Sequence, residues 1–174
     1  TYGNLNFPMV SDGTTIECTL PFNQQITPYF EIEADSGKVI TITTDNRLNK
    51  ITATYTTKKG LQAFECLSWM NGHTIKYNIP AGVTVKALKY RWMSVGEMAG
   101  SFEASDAFYQ HLWWMGLNTL FVCARDNFMD CPDRERALWI GDVADQTGYL
   151  FYAMDDAGRQ LLKKAILTTI NFSE

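Results

Sequence analysis

The chain has 174 residues, 46% of them hydrophobic and 13% aromatic, enough for one ordinary core or two small ones, which excludes a disordered polypeptide. A net charge of −4 and a pI near 5.2, with no cluster of lysines or arginines, exclude a nucleic-acid partner, whose phosphates call for a basic face. The apolar runs fall short of the ~20 residues that cross a bilayer, and no basic region followed by an apolar run opens the chain, so neither a membrane span nor a secretory leader is read from it.

As far as Trp92, short runs rich in Thr, Val, Ile, Tyr and Phe alternate with turn residues, which predicts strands and hairpins. Asp35-Ser36-Gly37 separates 29–34 from 38–44, Lys58-Lys59-Gly60 closes a second pair, and Asn71-Gly72 predicts a two-residue hairpin joining 63–70 to 74–79. Pro80-Ala81-Gly82 then turns the chain into a last strand over 83–92. Trp69, Tyr77, Tyr90 and Trp92 are candidates for a sugar-binding surface, although aromatics on strands are more often core or cross-strand partners. The pattern predicts an antiparallel β-sandwich over residues 1–98.

Beyond residue 100 the period becomes helical. Ser105 is placed to cap a helix over 106–125, with Phe108, Leu112, Met115 and Val122 on its inner stripe and Trp113 and Trp114 widening it. A second helix is predicted from Glu135 or Trp139 to Met154, and a third over 157–170 behind an Asp155-Asp156 cap, with Leu161, Leu162, Ala165 and Ile166 inward. Three helices with such broad apolar faces ask for more partners than the chain supplies. The ending at Phe172-Ser173-Glu174, without a stop signal, is expected of a chain cut from a longer protein. The expected organisation is therefore α+β: a sandwich, 1–98, then an incomplete helical segment, 99–174.

Cys18, Cys66, Cys123 and Cys131 form no metal-ligand spacing, and His73 and His111 are the only imidazoles, so no metal and no cofactor is expected. The first three read as buried thiols, with a Cys18–Cys66 disulfide left open for an exported protein. Cys131 as a nucleophile lacks a convincing imidazole partner, because His111 lies on a predicted helix with no paired Asn or Asp. Asp133, Asp142 and Asp145 match no calcium-loop spacing, and helix capping or solvated surface accounts for them.

The segment Asp130-Cys131-Pro132-Asp133-Arg134-Glu135-Arg136-Ala137-Leu138-Trp139-Ile140-Gly141-Asp142 concentrates charges and a tryptophan around a proline between two apolar runs. A charged loop leading into a solvated helix would look similar, but burying such a string requires pairing, and a cleft supplies a reason to build it. Glu135 follows Asp130 by five residues and precedes Asp142 by seven, with Trp139 four residues on. A helix starting soon after Pro132 would stack Glu135 on Trp139, and an indole beside a carboxyl disfavours the ionised form, as a general acid requires. Sugar rings have apolar faces that dock on aromatics, while the other carboxylates and the guanidinium groups suit vicinal hydroxyls.

At these residues the chain resembles the α-L-rhamnosidases, inverting glycoside hydrolases with a helical (α/α) toroid catalytic domain. The family signature runs Asp-Cys-Pro, one residue, Arg, in some members an extra Asp, then Glu-Arg, two residues, Trp, one residue, Gly-Asp. Every fixed position is filled here, without the extra Asp. Weaker likeness continues at 79–83, 88–91 and 151–155. The resemblance implies a β-sandwich followed by the first toroid helices, with Glu135 as general acid. It implies that Asp130, Asp142 and Arg134 bind or orient the rhamnose ring and that Trp139 forms an apolar wall. It also implies a general base on a glutamate beyond this chain, a rhamnose-containing carbohydrate as partner, and a periplasmic or extracellular location. The isolated fragment is then expected to be nearly inactive and to favour a homodimer or association with the missing remainder. Two rivals differ in class. A non-catalytic carbohydrate-binding module would use the sandwich aromatics, and a polysaccharide lyase on a related toroid would need a base such as Tyr149 or Tyr152 coupled to a positive partner, which no pattern supplies.

Overall fold

The computed structural model describes residues 5–48 and 50–172. Seven strands precede three helices: β1 (Met9–Val10), β2 (Thr15–Ala34), β3 (Val39–Thr44), β4 (Ala53–Thr56), β5 (Gly60–Glu65), β6 (Met70–Asn78), β7 (Thr84–Trp92), α1 (Ala107–Val122), α2 (Ile140–Ala153) and α3 (Asp156–Asn171). The class is α+β, as expected. Two compact units divide after Trp92, six residues before the expected junction at 98.

β2 organises the first unit. Its first half pairs antiparallel with β6, its second half with β7 on one side and β5 on the other. Pairing with β6 breaks between Thr19 and Gln24, where Pro21 has no N–H to give the ladder. The one hydrogen-bonded sheet thus carries two arms, β6-β3-β4 on the first half of β2 and β1-β7 with β5 on the second. Phe30 of β2 meets Tyr55 of β4 edge-on, with ring centroids 5.4 Å apart, and Phe64 of β5 packs on both. This cluster lays the arms face to face as two layers. Alternate residues point into the interior, such as Ile40 and Ile42, Ile75 and Tyr77, and Val83 and Val85, all buried.

Several turn assignments need correction. Asn71 and Gly72 are not a hairpin turn but lie inside β6, paired with Gln25 and Gln24. A Cβ at Gly72 would stand 2.6 Å from Thr44 Cβ and 2.8 Å from Asp45 Oδ1, so this glycine marks a close approach within the sheet. Asp45 Oδ1 there accepts from the N–H groups of His73 and Thr74 at 2.8 and 3.0 Å. Asp35-Ser36-Gly37 and Lys58-Lys59-Gly60 do turn the chain, but the strands they join, β2 with β3 and β4 with β5, are not paired with each other. Each turn carries the chain from one arm of the sheet to the other. All four cysteines are free thiols, so Cys18 and Cys66 form no disulfide. Tyr77 is core, its hydroxyl donating to the Lys89 carbonyl at 3.1 Å, while Tyr90 and Trp92 are 40% and 45% exposed.

In the second unit α1 is capped by Asp106 rather than Ser105: the Asp106 side chain accepts from Phe108 N at 2.9 Å. Its buried residues are Leu117, Leu120, Phe121 and Val122, whereas Phe108, Leu112 and Met115, expected inward, are more than half exposed. A helix apolar on every side has no stripe to read, which is why periodicity misplaced its inner face. α3 is capped as expected by Asp155, which accepts from Ala157 N at 3.1 Å. It buries Leu161, Leu162 and Ala165 but leaves Ile166 45% exposed. Gly158 brings α3 against α2, since a Cβ there would lie 2.8 Å from Met154 Cβ. Residues 93–98 belong to this unit because Ser94 Oγ donates to the carbonyls of Phe121 and Ala124, and Asp155 N donates to the Glu97 carbonyl.

Candidate active site

Between α1 and α2 the chain is first anchored, then freed. Phe128 and Met129 are buried, Met129 N donates to the Cys123 carbonyl at 2.8 Å, and Gln146 of α2 donates its amide to the Met129 carbonyl at 2.7 Å. Asp130 therefore leaves a fixed point. It closes the next seven residues on themselves, since its N–H donates to the Ala137 carbonyl and its Oδ1 accepts from Ala137 N, each at 3.1 Å.

Inside that loop no helix forms, so Glu135 and Trp139 do not stack on one helical face; α2 begins only at Ile140. Residues 132–135 make turns, and Arg136 takes a left-handed φ of 54°, which costs a side-chain-bearing residue about 1–2 kcal/mol. The Arg136 Nε helps hold that geometry by donating to the carbonyls of Pro132 and Asp133 at 3.1 and 3.3 Å. Local hydrogen bonds of this kind compete with the helical pattern that spacing suggested.

The closed loop gathers Asp130, Cys131, Arg134 and Glu135. Arg134 donates to Glu135 Oε1, Cys131 Sγ lies 3.3 Å from Glu135 Oε2, and Arg134 N donates to Cys131 Sγ at 3.4 Å. The Arg134 guanidinium, joined by the Cys131 thiol and opposed by partial desolvation, holds the Glu135 carboxyl down at about 2. The expected indole-raised acid is therefore not what this chain presents: Glu135 is a carboxylate at neutral pH. Ligand atoms of Asp130, Cys131 and Glu135 lie within 4.8 Å of one another, but the Arg134 guanidinium already supplies the positive charge a cation would bring there.

Asp142 sits in the first turn of α2, where the helix dipole favours its charge. Burial pushes the Cys123 thiol up to about 12, with the acidic groups of Cys131, Asp130 and Asp142 adding to it. Trp139 precedes α2, its carbonyl accepting from Val143 N at 3.0 Å, and the residue is 55% exposed. Three of the five expected site residues, Asp130, Arg134 and Glu135, are thus brought together by the loop, while Asp142 lies in the first turn of α2 and Trp139 stands exposed at the end of the same loop. Sequence reasoning missed Cys131 as a partner of Glu135, although a polar sulfur between Asp130 and Pro132 was the available signal. It also missed the cavity of about 570 Å3 lined by Trp113, Tyr149, Tyr152 and Phe102 with Asp130 and Gln146. Phe102 stacks on Trp113 in that wall at 5.5 Å between centroids.

Residues 97–169 match the family described as the bacterial α-L-rhamnosidase six-hairpin glycosidase domain. Two solved structures share the fold. A GH78 family rhamnosidase of Bacillus sp. GL1 is 21% identical with a TM-score of 0.75, over 87% of this chain and 18% of that one. A rhamnosidase from Klebsiella oxytoca with rhamnose bound is 13% identical with a TM-score of 0.67, over 83% and 34%. The chain therefore spans from less than a fifth to about a third of the length of these relatives. No curated protein sequence matches it. The resemblance to α-L-rhamnosidases expected from residues 130–142 is borne out over residues 97–169.

Proposed function

We propose that residues 97–169, related to the α-L-rhamnosidase glycosidase domain, are the acid-bearing part of an enzyme that releases terminal α-L-rhamnose with inversion. The observation that carries this reading is the Asp130–Asp142 signature, filled at every fixed position and closed into a loop that presents Glu135 beside Arg134 and Asp130. Inversion needs a carboxylic acid on the leaving oxygen and a carboxylate base on the opposite face of the sugar, about 6.5–9.5 Å away. Glu135 is the acid; the base comes from a part of the polypeptide outside this chain.

Glu135 begins as a carboxylate, so its role requires protonation before each turnover. Arg134 provides the means. Its side chain is 75% exposed, free to leave Oε1 for the hydroxyls of an arriving ring, and losing that partner raises the Glu135 pKa toward the range of a usable acid. Asp130 and Asp142 accept from sugar hydroxyls, and Trp139 faces the apolar edge of a 6-deoxy ring. The exposed apolar surface of α1 and α2, including Phe108, Leu112, Trp114 and Tyr152, is covered by further helices of the same domain. A terminal-rhamnose substrate places the enzyme in the periplasm or outside the cell.

The test is rhamnose release from an aryl α-L-rhamnoside. The chain alone should release almost none, the intact polypeptide should turn over, and Glu135→Gln should abolish most of that turnover. Full activity from residues 1–174 alone, or intact activity indifferent to Glu135→Gln, would contradict the proposal.

A further inference from the structure

We propose that Cys131 is the positioning residue for Glu135: its thiol holds Oε2, the oxygen that carries the proton, through both protonation states of the acid. The inference rests on the reading of Glu135 as proton donor and concerns a residue to which that reading gives no role.

The two oxygens of Glu135 have chemically different partners. Oε1 is bonded by Arg134, a guanidinium that only donates and therefore grips only the ionised carboxyl. Oε2 has the Cys131 sulfur 3.3 Å away. A thiol donates weakly and accepts weakly. Its S–H donates to the carboxylate, and its sulfur accepts from the O–H of the carboxylic acid. Protonation at Oε1 would set the new hydrogen against a guanidinium that cannot accept it, whereas protonation at Oε2 keeps a partner. During turnover the Oε2–H bond breaks, its proton passes to the leaving oxygen, and the carboxylate left behind receives the thiol hydrogen bond again.

The sulfur is itself held in place. Arg134 N donates to it at 3.4 Å, and its neighbours in sequence are pinned. Asp130 is tied to Ala137 through both backbone and side chain, and the Pro132 carbonyl accepts from Arg136 Nε. Arg134 and Asp130 are charged groups beside Glu135. The Cys131 hydrogen bond acts with Arg134 in holding the Glu135 carboxyl low, while partial desolvation opposes them. Removing the thiol should therefore raise the titration midpoint.

The experiment is a carbon-detected NMR titration of the Glu135 carboxyl in this chain, as wild type, Cys131→Ala and Cys131→Ser, with far-UV circular dichroism confirming the fold of each. The midpoint should rise in Cys131→Ala and return in Cys131→Ser, whose hydroxyl also donates and accepts. An unmoved midpoint in a folded Cys131→Ala chain overturns the proposal. Should the alanine variant not fold, a serine variant titrating clearly above wild type overturns it equally. In the intact enzyme, Cys131→Ala should lower kcat about tenfold with KM unchanged, the scale of one hydrogen bond to a charged group. If Glu135→Gln abolishes rhamnose release while Cys131→Ala leaves the titration and kcat untouched, the positioning role fails and the hydrolase reading stands. If Glu135→Gln is silent, the hydrolase reading itself fails.

Discussion

Glu135 and its immediate partners define the residue scale. A carboxyl held at about 2 by a guanidinium is unlike a free glutamate, near 4.3, so the two can be told apart directly. Arg134→Met should move the Glu135 midpoint up, read by the same NMR titration; a midpoint that stays near 2 would show that Arg134 is not what holds it. Because the folded-state value is depressed, the associated stabilisation is complete above the ordinary carboxylate range and is lost as pH falls toward 2. Asp130→Ala should speed amide exchange at Ala137, which would lose its 3.1 Å acceptor; unchanged protection would mean that the backbone contact alone closes the loop. The identities of these residues were legible in the sequence because the signature is dense and its order is specific. Their geometry was not. Spacing suggested a helix through Glu135, whereas Pro132, the left-handed Arg136 and the Asp130–Ala137 closure spend those residues on a loop, replacing an indole neighbour by a guanidinium and a thiol.

At the scale of elements, one glycine and one cap carry checkable weight. Gly72→Ala should destabilise by about 1–3 kcal/mol, the cost of overpacking, since its Cβ would meet Thr44 at 2.6 Å; denaturant melts would register it, and a neutral result would show that β3 and β6 can part there. Asp106→Ala should cost about 1 kcal/mol through the lost N-cap of α1, while Ser105→Ala should cost little. Most strands and all three helices were readable from composition, period and caps. The partners of the strands were not, because turn signals show where a chain reverses but not whether the flanking strands pair. β2 illustrates this: twenty residues that read as separate runs are one strand shared between two arms, bent where Pro21 interrupts the ladder. α1 shows a second limit, since a helix with apolar residues on every side offers no amphipathic stripe to orient it.

At the scale of the whole molecule, two cores stand apart in sequence: one around Phe30 and the alternating isoleucines of the strands, the other around Leu120, Phe128 and Leu150 in the helical unit. Phe30→Ala should lower the stability of the strand unit by about 3–5 kcal/mol, as for other fully buried aromatics. Residues 97–169 of the helical unit resemble a six-hairpin glycosidase domain, and its helices line an aromatic cavity beside Asp130. The central claim is that Glu135 is the proton donor of a rhamnosidase. The most direct measurement compares Glu135→Gln with the wild-type intact polypeptide on two α-L-rhamnosides, one with an activated aryl leaving group and one with a simple alkyl leaving group. Proton donation matters most when the leaving oxygen is basic, so the expected result is a far larger loss on the alkyl rhamnoside, by roughly 10²–10⁴-fold, than on the activated one. An equal loss on both substrates, or none, would contradict it.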